Sequence, residues 1–492
     1  MGSVTADEMR ALEAAAFERG ATAESLMDQA GERLGRAIAR FFPHPGTATA
    51  FLGKGHNAGD ALVALRVLRA AGWRIELREV FPPERWAELT AKKRAELGEV
   101  AVSRDEPARP WVLLDGLLGI GASGPLRGEI AAAAAEMNRL KHEQGAWIAA
   151  VDLPSGVDPD HGEIHPGAVE ADVTFLIGSP KRGLLTAAAV NATGALALVP
   201  VDGLACETTG DLELVSPQTL AVARARRPFE FHKGQAGRVG VLAGSAAYPG
   251  AAVLAVRGAL RGGAGLTTLH AREEALASIA AKCPPEAIVR PLARPFELLE
   301  ANDDARVVGP GLGPATAEFA EELHAMLRRS EVPCVVDADA LNLLAMTGGV
   351  GRLPEGHVLT PHPGEFRRLA PDLARLPREE AARAFTRRHP QVLLLKGART
   401  LVAQGGETLW CNATGTPGMA TGGQGDVLAG VIGALLARGL PSLEAACLGA
   451  WLCGRAAERA LWHGGRSEES LLAGDTVDHL GGAFRDWREA AR

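Results

Sequence analysis

The chain has 492 residues, 47% hydrophobic and 23% charged, with a formal net charge of −7. That length suggests two to four domains at roughly 150 residues each, with ample core. The acidic balance, without any basic run, argues against nucleic-acid binding. Cys206, Cys283, Cys334, Cys411, Cys447 and Cys453 form no Cys-x-x-Cys pair, which points to a reducing compartment and away from structural zinc. Charged residues Asp7, Glu8, Arg10 and Glu13 stand where a signal peptide would carry its apolar core. The most apolar stretch, 427–437, is well short of the roughly 20 residues of a membrane span. A soluble, cytoplasmic protein is expected.

Thr5-x-x-Glu8 is a capping box before a helix from about Ala6 to Glu18, and a second helix runs from about Ser25 to Phe42. Thr47–Leu52 reads as a strand, followed by the glycine turn Gly53-Lys-Gly-His-Asn-Ala-Gly-Asp60 and a helix over 61–71. Strand, glycine turn and helix form the unit that binds phosphates or nucleotides in open α/β sheets. Strands 73–80, 111–115, 147–152 and 173–177 follow, with helices over 83–97 and 130–140. Three apolar strands therefore lead into polar turns holding Asp60, Asp115 and Asp152. In a parallel sheet such turns emerge at the carboxyl edge, where ligands bind. Each aspartate alone could be a turn or cap residue; together with Asn57 and Ser155 they make an all-oxygen set suited to a hard cation or a hydroxylated ligand.

The rhythm breaks between about 203 and 230, so a domain boundary is expected near 215–228, with domains over 1–215 and 224–492. Strands and helices then alternate again: 238–243, 266–270, 306–308, 332–336, 358–360 and 392–395 are strands, and Ala251–Arg261 is a helix. Turns after these strands hold Asp337, Asp339, Asn342, His362, Glu365 and Lys396. Lys396 could reach a phosphate or be a solvated strand end. The stretch 412–426 is rich in glycine and feeds an apolar helix starting near Val427, which puts free N–H groups and a positive dipole end at one point. It is a phosphate cradle without the Gly-Lys-Ser/Thr of a Walker A loop. Asp426, at that junction, either caps the helix or takes a proton from a hydroxyl about to attack phosphorus.

These motifs resemble the family of bifunctional NAD(P)H-hydrate repair enzymes. The N-terminal half looks like a YjeF N-terminal-type NAD(P)H-hydrate epimerase, with a Rossmann-like αβα sandwich. The C-terminal half looks like an ADP/ATP-dependent NAD(P)H-hydrate dehydratase of ribokinase-like αβα fold. In the C-terminal half the likeness rests on Tyr248 with Gly250-Ala251, Gly309–Gly313, Asp337–Asn342, Thr360–Glu365, Lys396–Thr400 and Asn412–Asp426. It implies that Lys396, Gly397, Ala398, Arg399 and Thr400, with Thr416, Pro417, Gly418, Met419, Ala420, Thr421, Gly422, Gly423, Gln424 and Gly425, bind the nucleotide. Ala251, Gly313, His362, Pro363, Gly364, Glu365 and Asp426 are implied to face the hydrated dinucleotide. Gln424 stands where the family usually has a smaller Thr or Ser.

In the N-terminal half the matching stretches are 53–60, 115–127 and 151–157, with Lys181 and Gly183 beyond. Substrate contacts are implied from His56, Asn57, Ala58, Gly59, Asp60, Gly119, Ile120, Gly121, Ala122, Ser123, Gly124, Pro125 and Asp152, and a potassium ion on Asn57, Asp115 and Ser155. His56, Ala58, Ala61 and Ile120 depart from the family's Asn, Gly, Gly and Thr, and each alanine would add a Cβ where backbone and ligand approach.

The expected catalytic residues are Asp152 and Asp426, with Mg²⁺ and ADP or ATP serving the second half. A homo-oligomer is expected from the apolar faces of such sheets. Two rival readings stand beside this one. One is a ribokinase-like small-molecule kinase; the other makes the first half a non-catalytic binding module.

Overall fold

The computed structural model describes residues 2–100, 106–122, 124–206, 210–220, 222–223, 225–406 and 408–490. Chain contacts divide it into two compact units, Met1–Leu212 and Glu213–Arg492.

The first unit is built on six strands: β1 Thr47–Leu52, β2 Arg74–Glu79, β3 Trp111–Gly116, β4 Trp147–Val151, β5 Val173–Ile177 and β6 Ala195–Val199. Their order is β2-β1-β3-β4-β5-β6, and every pairing is parallel. Every residue of β1, β3 and β5 is buried, as expected of strands covered on both faces. The sequence reading had no strand at 195–199, because that stretch alternates only Ala and Leu. It also began the third helix too late. The helix is His56–Ala70, with Gly55 as its N-cap, so His56–Asp60 occupy its first turns and not a loop.

The second unit carries a ten-stranded sheet: β7 Leu212–Leu214, β8 Arg238–Leu242, β9 Leu266–Ala271, β10 Ile288–Pro291, β11 Ala305–Val308, β12 Cys334–Val336, β13 Val358–Leu359, β14 Val392–Leu395, β15 Thr400–Ala403 and β16 Leu409–Asn412. The order is β10-β9-β8-β11-β12-β13-β14-β15-β16-β7. Strands β10 through β14 pair in parallel, and β14, β15 and β16 pair antiparallel. A mostly parallel sheet was expected; the hairpin over 392–412 was read only as strand and turn.

Two helices of this unit, Pro249–Gly262 and Gln424–Ala437, touch backbone to backbone. A Cβ on Gly430 would lie 2.1 Å from the Ala255 carbonyl oxygen, and one on Gly258 would lie 2.4 Å from that of Val427. Neither helix can step back, because both faces of the 424–437 helix are buried. Gly430→Ala is therefore expected to destabilise the unit by about 1–3 kcal/mol, read as a lower denaturant midpoint. An unchanged midpoint would mean the crossing is looser than described.

Candidate functional sites

The carboxyl edge of the first sheet gathers Asn57, Asp115, Asp152 and Ser155. Asp115 ends β3 fully buried. Its carboxylate accepts hydrogen bonds from the Ser155 N–H and hydroxyl, both at 2.7 Å, and from the Leu117 N–H at 3.2 Å. The Ser155 hydroxyl oxygen accepts from the Leu118 N–H at 3.1 Å, and Asn57 donates to the Leu118 carbonyl at 2.8 Å. Burial pushes the Asp115 carboxyl up to about 6, against those hydrogen bonds. One buried carboxylate with hydroxyl and amide oxygens nearby fits a weakly charged hard cation better than a thiophilic metal. Leu118, Gly119, Ala122, Leu153 and Ser155 line a small cleft beside this set.

Asp152 follows β4 in the left-handed region, at φ 70°. Such a backbone costs of order 1–3 kcal/mol for a non-glycine residue and persists only where neighbours fix it. The neighbours are the Ile177 N–H, which donates to Oδ1 at 3.0 Å, and the ammonium of Lys181, which donates to the same oxygen. Lys181 is 1% exposed and also donates to the Ile177 carbonyl at 2.8 Å. Two more carboxyls enter the field of this pair. Burial, then the charges of Asp152 and Glu13, holds Asp60 well above the usual carboxylate range; burial likewise raises Glu13. Glu13 arrives on the helix Ala6–Glu18, which is tied in place where Val4 bridges Lys181 and Arg10 donates to the Ile120 carbonyl. Neither Glu13 nor Lys181 was assigned a role from the sequence. Glu13 entered the sequence reading only as one of the charges near the N-terminus, and its partial burial was visible only once the chain was folded.

The structure corrects part of the 56–60 reading. Ala58 and Ala61 are fully buried against Gly116 of β3, and a Cβ on Gly59 would strike Met27 at 2.5 Å. These three positions pack the helix onto its neighbours, which places the two alanine side chains inside the fold. Of this group only His56 is exposed; Asp60 is half-buried, and Asn57 packs against Gly119. Gly121 and Pro125 are exposed, Ala122 and Gly124 partly so, and Ser123 lies outside the described residues.

At the carboxyl edge of the second sheet, Asp337 follows β12 at 1% exposure and accepts from the Lys396 ammonium at 2.6 Å. A Cβ on Gly425 would lie 3.1 Å from that ammonium and 3.6 Å from Asp337 Oδ2, so the glycine loop rests on the ion pair. Asp426 stands next to it on the first turn of the 424–437 helix. The helix begins three residues earlier than expected: Gly423 is the N-cap, at φ 94°, with no side-chain capping bond. Asp426 is thus not the cap, which removes the capping alternative. Burial pushes its carboxyl up to about 7, with Asp337 and Asp339 adding to that and Lys396 opposing it. The N–H groups of Gly422 through Gly425 meet no main-chain acceptor among the described residues, as a helix start leaves them.

Around this centre, the Gly313 N–H donates to Asp339 at 2.8 Å, Gly313 packs against Ser245 and Tyr248, and Gly311 packs against Ala251. His362 caps the helix Pro363–Leu369: its Nδ1 accepts from the Gly364 N–H at 2.9 Å, and its own N–H donates to Glu365 at 2.8 Å. Glu365 is buried and its carboxyl is raised, chiefly by that burial. Gly397 and Ala398 are exposed and the Thr400 hydroxyl donates to the Gly397 carbonyl at 2.9 Å, whereas Arg399 is only 4% exposed. Pro417–Met419 form a short 3₁₀ turn with Gly418 buried, leading to Ala420 and Thr421. Gln424 is buried, and neither of its amide atoms has a hydrogen-bond partner among the described residues. Asp337 is the residue the sequence reading placed near the site without a role.

Fold and sites define a two-unit α/β protein with acid-lined candidate sites at the carboxyl edges of two mostly parallel sheets. The family model described as NAD(P)H-hydrate dehydratase matches residues 239–478, and that of the YjeF-related protein N-terminus matches 23–183. The bifunctional NAD(P)H-hydrate repair enzyme Nnr of Gloeobacter violaceus is 38% identical over 508 aligned positions, covering 96% of this chain and 94% of its own. The chain belongs to the family of bifunctional NAD(P)H-hydrate repair enzymes. The Moorella thermoacetica relative is 34% identical over 99% of this chain and 97% of its own. Among solved structures, the ADP/ATP-dependent NAD(P)H-hydrate dehydratase of Bacillus subtilis, co-crystallised with ATP/Mg²⁺, is 29% identical with a TM-score of 0.49, over 57% of this chain and 100% of its own.

Proposed function

We propose that the chain repairs hydrated NADH and NADPH: residues 1–215 interconvert the R and S hydrates, and residues 224–492 dehydrate the S form with ADP, releasing AMP and phosphate. The observation that carries this reading is the acid Asp426 beside the Lys396–Asp337 pair, under a run of free main-chain N–H groups.

In the hydrate, a hydroxyl sits on the ring carbon next to the nicotinamide nitrogen. For inversion, that hydroxyl takes a proton and leaves as water while the nitrogen lone pair forms an iminium. Water then returns on the other face and gives up a proton. Asp152 is the group assigned to this proton traffic. Asn57, Asp115 and Ser155 would hold the potassium ion, which supplies a fixed positive charge near the ligand's anionic groups. The loop 119–125, with His56 and Asp60, contacts the substrate.

For dehydration, hydroxide is a poor leaving group, so the hydroxyl is phosphorylated first. Asp426 takes its proton as the oxygen attacks the terminal phosphorus of ADP, and AMP departs. The 416–425 amides and Lys396 stabilise the transferring charge. The carbon–oxygen bond then breaks with phosphate as leaving group, and loss of the neighbouring ring proton restores the double bond. Ala251, Gly313 and His362–Glu365 line the dinucleotide side; Lys396–Thr400 lie on the nucleotide side. Among the described residues no group of three or more His, Cys, Asp or Glu side chains is placed to hold a metal ion, so Mg²⁺ is assigned to the nucleotide's phosphates, whose charge it neutralises.

No helix among the described residues is long and apolar enough to cross a membrane; we assign the enzyme to the cytoplasm, as a homo-oligomer. The test is to incubate each purified epimer with and without ADP. Epimer interconversion without ADP, and regained reduced-nicotinamide absorbance with it, are expected. A stable phosphorylated product would instead support the small-molecule kinase.

A further inference from the structure

We infer that Lys181 is a positioning residue of the N-terminal site: it orients Asp152 for the two proton transfers assigned to that residue. The inference rests on the epimerase reading above.

A lysine is almost never fully buried unless paired, and Lys181 is 1% exposed. Its ammonium makes two hydrogen bonds, one to Asp152 Oδ1 and one to the Ile177 carbonyl. The Ile177 N–H meets the same Asp152 oxygen at 3.0 Å. Oδ1 is thus held by two donors, and among the described residues none donates to Oδ2, which leaves that oxygen to meet a substrate. The backbone on both sides is locked as well. Asp152 is pinned at φ 70°, with its N–H donating to the Phe175 carbonyl at 2.9 Å. Lys181 is bridged to Val4, whose N–H and carbonyl bond Pro180 and Arg182 at 2.9 Å each.

An ion pair of this kind is a weak source of stability, because burying both charges costs about as much as their attraction returns. Its effect here is on aim. The other ionisable groups in this field are Glu13 from the first helix and Asp60 and His56 from the third. Glu13 and Asp60 are acidic neighbours whose carboxyls are raised by burial, and Lys181 is the cation that pairs with Asp152 among them. Two of its three donors are taken by Asp152 and the Ile177 carbonyl and it is 1% exposed, so Lys181 acts through that carboxylate and not on the ligand.

The test uses the full chain without ADP, so that only epimer interconversion is read. If the wild-type chain does not interconvert the epimers, the epimerase reading itself fails. If it does, Lys181→Met is expected to lower kcat by about tenfold or more with KM little changed. In the Asp152→Asn background the same change should cost nothing further, since Lys181 acts only through that acid. A folded Lys181→Met with the wild-type kcat would overturn the inference. So would a double variant slower than Asp152→Asn by the factor the single change produces. Should Lys181→Met fail to fold, the comparison of Asp152→Asn with Asp152→Asn/Lys181→Met decides alone, because the double variant buries neither charge of the pair.

Discussion

Asp426→Asn is expected to lower ADP-dependent dehydration by about 10²- to 10⁴-fold, the range for removing a positioned general base, while nucleotide binding persists. The amide is nearly isosteric and keeps the helix start intact, but it cannot take the hydroxyl proton. The wild-type rate should rise with pH through about 7, where burial and the nearby Asp337 and Asp339 place the Asp426 carboxyl. Asp337→Asn removes one of those anions and should move that limb to lower pH, unless loss of the Lys396 partner abolishes turnover first. The stability sign is opposite to that of a salt-bridged acid. A carboxyl raised from 3.8 to about 7 is favoured neutral in the fold, so it costs stability as pH rises from about 4 through 7. Asp426→Asn should therefore raise the melting temperature at pH 8 and leave it unchanged at pH 3. A variant that turns over normally, or melts lower at pH 8, would remove Asp426 from the assigned role.

Asp152→Asn is expected to abolish epimer interconversion by a similar factor and leave dehydration of the pure S epimer at the wild-type rate. The amide cannot form the ion pair with Lys181, so a buried ammonium loses its partner. A lower melting temperature of the first unit should accompany the lost activity. If both epimers were still consumed fully in the presence of ADP, a different group would have to move the protons.

The sequence carried the sheets and the aspartates well, because parallel strands are apolar throughout and end abruptly in polar turns. Asp115, Asp152 and Asp337 all lie at the strand ends where that pattern put them. Helix starts were harder. The residues 56–60 and 424–426 are rich in glycine and alanine, which suits a loop and a tightly packed first turn alike; only the neighbours decide. Met27 against Gly59 and Leu254 against Gly423 are such neighbours. Glu13 and Lys181 were illegible for a related reason. An acid on an amphipathic helix and a lysine after a strand are usually solvated, and their burial depends on the bridge between Val4 and Lys181, 177 positions apart in sequence. Gln424 and Arg399 show the converse, since residues of a ligand loop can spend their side chains inside the fold.

The central claim is that the substrate hydroxyl oxygen becomes part of phosphate. It is tested most directly by supplying S hydrate with ¹⁸O in that hydroxyl, together with unlabelled ADP, and analysing the released phosphate by mass spectrometry. One ¹⁸O per phosphate, formed in step with AMP and NAD(P)H, is the predicted result. Label released as water, with unlabelled phosphate, would contradict it.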